Sequence, residues 1–79
     1  MSNKLTTAER HKLVLDFIAR FQAQYHFAPT QPEISRATSI PVRTVAFYLL
    51  ILTYTGRLIN RGTRNRPHWE IVDKPEGRV

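Results

Sequence analysis

The sequence has no cysteine, only three glycines, and half as many acids as bases, with six Asp and Glu against twelve Lys and Arg. Without cysteine there is no disulfide framework, and nothing ties the chain to an oxidising compartment. The three glycines are scattered and form no phosphate-cradling loop. The longest apolar run, residues 45–52, has eight residues, whereas a membrane-spanning helix needs about 20. Polar residues follow Met1, so there is no signal-peptide pattern. A cytoplasmic protein with no membrane association is expected. His11, His26 and His68 have no metal-ligand spacing and no cysteine to join them, so each reads as a surface histidine. Asp16 and Glu33 have simpler uses, on a helix surface and in a helix cap. No catalytic constellation remains, and no enzyme activity, cofactor, metal or small-molecule substrate is expected.

What the chain does have is positive charge, +6 over 79 residues, unevenly placed. Residues 1–40 hold five Lys and Arg against three acids, residues 41–70 hold five Arg against Glu70 alone, and residues 71–79 balance. Every base in the middle segment is arginine, the side chain that forks onto phosphate and guanine. A merely solvated surface would not gather its charge on one short stretch.

At this length one domain with a modest core is expected, over residues 1–72, with a flexible C-terminal tail at 73–79. Residues 1–5 read as a frayed start. Thr6-Thr7-Ala8-Glu9 is a capping-box pattern that opens a helix running to about Tyr25. Val14, Phe17, Ile18, Phe21 and Tyr25 share one helical face and read as core. Pro29 ends this segment, and Thr30-Gln31-Pro32-Glu33 is a second capping box. It starts a short helix with Ile34 and Ala37 facing inward. Ile40 is expected to plug the core at a turn over 39–41, and Pro41 to preorganise a third helix ending at Gly56. Residues 45–52 alone would also suit a buried strand, but Val45, Leu49 and Leu52 keep helical spacing over too long a segment. Residues 57–61 and 67–72 then read as two strands of a hairpin, with Leu58, Trp69 and Ile71 packing on the helices.

A short helix, a tight turn, a longer helix and a basic hairpin predict a fold that is mainly α with a small β-hairpin, a winged helix-turn-helix of three helices plus wing. Residues 15–37, LDFIARFQAQYHFAPTQPEISRA, sharpen this. Leu5-Thr6, Asp16 with Ile18, and Pro29-Thr30 followed by Glu33-Ile34 resemble the N-terminal DNA-binding domain of the LexA repressor family. The resemblance spans residues 5–72, and its second half is shared with winged helices in general. It implies the fold and DNA binding. The chain departs from the family in three places. His26 stands where a glycine is usual, the turn before the third helix is one residue shorter, and the exposed face of that helix is apolar. The family's self-cleaving domain has no counterpart in these residues, so nothing about proteolysis carries over.

The expected function is sequence-specific binding of double-stranded DNA in transcription regulation. Val42, Arg43 and Thr44 open the third helix with small or donor-bearing side chains suited to the major groove. Phe47 would pack on a thymine methyl. Arg61, Arg64 and Arg66 on the wing would reach phosphates or a neighbouring minor groove, and Thr30 with the second helix's N-terminus would meet a phosphate. A winged-helix module that binds protein through its third helix is the alternative. RNA binding is weaker, because the sequence lacks interleaved aromatics on a sheet.

At about 100° per residue, Val45, Tyr48, Leu49 and Leu52 gather on one side of the third helix. Arg43, Phe47, Leu50 and Tyr54 lie opposite, with Ile51 at the edge. Tyr54 lies about 16 Å beyond Arg43. Arg43 and Phe47 are therefore assigned to DNA, and Leu50, Ile51 and Tyr54 to a protein interface. The simplest partner is a second copy, giving a homodimer that reads a palindromic site. The competing reading buries Leu50 or Ile51 against the wing or the first helix.

Overall fold

Two capping boxes start the first two helices. In the computed structural model, which describes residues 5–72, the Thr6 hydroxyl accepts from the Glu9 N–H while the Glu9 carboxylate accepts from the Thr6 N–H. Helix α1 follows as Thr7–Tyr25. Thr30 and Glu33 repeat the exchange at the head of α2, Gln31–Thr38, with Pro32 in the first turn. Each box satisfies donors that a first turn leaves open, an effect of about 1 kcal/mol per cap. Helix α3, Val42–Tyr54, begins after Pro41 without a side-chain cap. The tail expected at 73–79 and the first four residues of the frayed start fall outside the described residues.

All three helices stop in left-handed turns. His26 (φ 66°) and Ser39 (φ 62°) take that conformation without being glycine, and Gly56 (φ 82°) takes it after α3. The α3 exit is a Schellman motif: the Arg57 N–H donates to Leu52 O at 2.8 Å and the Gly56 N–H to Thr53 O at 3.1 Å. The chain then enters a two-stranded antiparallel sheet. Strand β1 is Leu58–Asn60 and β2 is Trp69–Ile71. Leu58 faces Ile71, Ile59 faces Glu70 and Asn60 faces Trp69. The strands are shorter than the expected 57–61 and 67–72, although flanking bonds from Val72 N–H to Arg57 O and from Arg61 N–H to His68 O continue the register.

The architecture is thus mostly α, three helices and one small antiparallel sheet. Its core comprises Val14, Leu15, Ile18, Ile34, Ile40, Val45, Tyr48, Leu49, Leu52 and Leu58, with Phe17, Trp69 and Ile71 packed against it. Every helix contributes, and so does β1. Burying one such aliphatic side chain is worth about 1.5–3 kcal/mol. Three positions depart from the expected core. Phe21 is half-buried and lies outside the core cluster. Tyr25 and Ala37 are exposed, because both line an open cleft between α1 and α2. Leu15, outside the expected stripe, is buried. Ile40 plugs the turn as expected, and across that turn α2 and α3 meet at 106°. No single described helix is long and apolar enough to cross a membrane.

Candidate nucleic-acid interface

The buried face of α3 is Val45, Tyr48, Leu49 and Leu52, so its rotation is fixed. The opposite stripe is exposed along its whole length: Arg43, then Phe47 (57%), Leu50 (66%) and Tyr54 (90%). Val42 is exposed as well, whereas Thr44 and Ile51 are half-buried at the margins. Arg43 therefore leads a row in which every later member is apolar. Arg43 makes no ion pair among the described residues. With no acid in the first turn of α3, the positive end of the helix dipole adds to its charge.

The hairpin loop is built by side chains bonding to backbone. Asn60 Oδ1 accepts from the Gly62 N–H (2.8 Å) and the His68 N–H (3.1 Å), and its amide donates to Thr63 O. The Thr63 hydroxyl accepts from the Arg66 N–H at 2.9 Å. Gly62 is required by space: a Cβ there would run into Arg66 O and come within 2.9 Å of His68 N. Gln22 of α1 locks the whole hairpin. Its side-chain amide donates to Trp69 O and accepts from the Trp69 N–H, both at 2.8 Å. Sequence reasoning passed over Asn60 and Gln22. The signals were there: Asn60-Arg61-Gly62 has the pattern of an Asx turn, and Gln22 follows Ile18 by four on the buried face.

The four hairpin arginines have different surroundings. Arg61 Nε donates to Glu70 Oε1 at 2.7 Å, diagonally across the sheet, so its charge is already partnered. Arg57 is half-buried, with Nε out of solvent and without a hydrogen-bond partner among the described residues. Arg64 and Arg66 are exposed and make no ion pair among the described residues. A cleft of about 410 Å³ between the α1–α2 link and the hairpin loop joins Arg66 with Thr30; Phe27, Ala28, Asn65 and Pro67 complete it. Two residues far apart in sequence thus line one cleft beside the N-terminus of α2, where backbone N–H groups and the helix dipole favour an anion.

His11 is not a surface histidine. It is half-buried, and its ring meets that of Tyr48 edge-on at 4.6 Å. Burial first and the Arg57 charge second lower its pKa below 6.5. Its Nε2 has no hydrogen-bond partner among the described residues. Among the described residues no three His, Asp or Glu side chains lie close enough to hold a metal ion. No protein-family model matches the chain, and no curated protein matches it in sequence.

Proposed function

We propose that the chain is a winged helix-turn-helix protein, similar to the LexA-type DNA-binding domains, that binds double-stranded DNA sequence-specifically to regulate transcription. The observation that carries this reading is the 106° angle between α2 and α3, which lies within the range of about 90–120° for helix-turn-helix pairs. Arg43 is exposed at the head of the second of these helices. In this reading the first turn of α3 enters the major groove. Arg43 forks onto a guanine, Thr44 reaches a neighbouring base edge and Phe47 covers a thymine methyl. The Thr30 hydroxyl already accepts from the Glu33 N–H, so its own proton is left to donate to a phosphate. Arg66, across the cleft, and Arg64 neutralise phosphates nearby.

A titration with mixed-sequence duplex DNA at several salt concentrations tests the reading, followed by sequencing of the duplexes retained. Removing one phosphate-neutralising side chain flattens the plot of log K against log salt by about 0.9. Arg64→Ala with Arg66→Ala should lower the slope by roughly 2, and Arg61→Ala, already paired to Glu70, by less. Binding with no salt dependence, or with no retained motif, overturns the reading.

The exposure of Leu50 and Tyr54 favours a second, compatible reading, in which this end of α3, edged by Ile51, pairs with a second copy to give a homodimer. The same surface serves the alternative in which the protein is a protein-interaction module. Sedimentation across a concentration series separates these. Leu50→Asp changes an exposed residue and should stay folded while the dimer dissociates. A native chain that stays monomeric throughout removes the dimer.

A further inference from the structure

We propose that the groove between α1 and α2 is a docking site for a short, acidic amphipathic helix of another protein. Leu13, Phe17, Phe21 and Tyr25 follow one another at four-residue spacing along α1, forming one wall of a cleft of about 680 Å³. The rings touch one another at tilted angles, Phe17 to Phe21 at 5.7 Å and Phe21 to Tyr25 at 4.6 Å, with Phe27 meeting Phe21 edge-on at 5.5 Å. Only Phe17 of this ridge packs against the core. Leu13 and Tyr25 at its two ends remain 38% and 49% exposed, while Phe17 and Phe21 between them are half-buried. A ridge of residues four apart is the element that interdigitates with a partner helix. From Leu13 to Tyr25 it is about 18 Å long, three turns of such a helix.

The charge on the rim selects the partner's chemistry. Arg20 on α1 and Arg36 on α2 line the same cleft, and neither makes an ion pair among the described residues. The one acid in the lining, Glu33, already has its carboxylate on the Thr30 N–H at 2.7 Å. An apolar wall edged by two unpaired guanidinium groups is complementary to a helix with Leu or Phe on one face and Asp or Glu flanking it. A small carboxylic acid fits less well, because an open groove leaves most of such a ligand in water. The proposal stands apart from DNA binding, since it uses neither α3 nor the hairpin.

A displayed library of random peptides about 12 residues long, selected on the intact protein, tests it. Enriched sequences should carry aromatic or aliphatic residues three and four apart beside acids. A synthetic copy of one should shift the amide NMR signals of Arg20, Phe21, Arg36 and Ala37 saturably. Arg20→Ala with Arg36→Ala should weaken that peptide on the order of tenfold, and Tyr25→Ser should weaken it too, with circular dichroism of both variants unchanged. No enrichment, shifts centred on α3 or the hairpin, or equal affinity in the folded variants overturns the proposal. So do concentration-dependent shifts of the groove residues without peptide, which would give the groove to a second copy.

Discussion

The helices and the hairpin are held by different mixtures of forces. The three helices meet through apolar surface, and nine of the ten core residues lie on them or at the turn between α2 and α3. The hairpin contributes one fully buried core residue, Leu58, with Trp69 and Ile71 packed against the core, and is further tied by side-chain hydrogen bonds: Asn60 and Thr63 within the loop, Gln22 from α1. Apolar burial is non-directional and shared over many neighbours, whereas each of these hydrogen bonds is specific and singly removable. The helical part should therefore fail as one unit, and the hairpin should be separable from it.

The largest effect tests the first half of that statement. Leu52 is 1% exposed and sits where α3 faces the rest of the core. Leu52→Ala should lower the unfolding free energy by about 2–5 kcal/mol. Denaturant titrations followed by helical circular dichroism and by tryptophan fluorescence should shift together. A loss well under 1 kcal/mol would mean that the core does not hold the helices in the way described.

Next in size is Gln22→Ala, which removes both amide bonds to Trp69. Two net hydrogen bonds amount to about 1–3 kcal/mol. The chain has one tryptophan, in β2 and packed against the core, so fluorescence reports on the docking of the hairpin. Its midpoint should fall below that of the helical signal, separating two transitions that coincide in the native protein. Gln22→Glu should do nearly as much, because a carboxylate cannot donate to Trp69 O. Coincident midpoints in both variants would show the hairpin to be held by Leu58 and Ile71 instead.

The contrast also explains what was legible in the sequence. Helix bounds were, because their signals are local: two capping boxes, Pro32, Pro41 and Gly56 each act within a few residues. The phase of α3 was legible too, since four buried residues at helical spacing leave one rotation. Strand extents, the Gln22 lock and the pairing of Arg61 with Glu70 were not. Gln22 and Trp69 are 47 residues apart, and the bond from Arg61 exists only once the hairpin register is set. Periodicity puts Tyr25 and Ala37 inside because it finds a face without showing where its neighbours end. On the candidate site, the stripe beginning at Arg43 was readable along one helix. The sharing of one cleft by Thr30 and Arg66 was not, since it depends on how the hairpin folds back.

A smaller effect lies at the junction of the two regions, where His11 of α1 meets Tyr48 and feels Arg57 at the start of the hairpin. Its pKa is lowered in the folded protein by burial and then by the arginine, from an ordinary value of 6.5. Between the two values the unfolded chain binds the proton more readily. The contribution to stability is therefore full above the unfolded value, and it disappears as pH falls through that value to the folded one. Stability should drop from about pH 7 to about pH 5 by more in the native protein than in His11→Phe, which keeps a ring against Tyr48. Parallel curves for the two proteins would take His11 out of the junction's energetics.

The smallest effect concerns the helix ends, and it compares the helices with one another. α3 ends on a glycine at φ 82°, while α1 and α2 end on His26 and Ser39 at φ 66° and 62°. A residue with a Cβ in this conformation costs about 1–2 kcal/mol. Glycine relieves that cost but gives the unfolded chain more freedom, which returns about 0.5–1 kcal/mol. His26→Gly and Ser39→Gly should each stabilise the protein by about 0.5–1 kcal/mol, a rise in melting temperature of a few degrees. Both side chains are exposed, so little packing goes with them. Gly56→Ala gives the converse: nothing lies within 4 Å of the added Cβ, so any destabilisation is the backbone cost alone. If the two glycine variants melt at the native temperature while Gly56→Ala melts lower, the His26 and Ser39 side chains stabilise those ends by more than the helix caps account for.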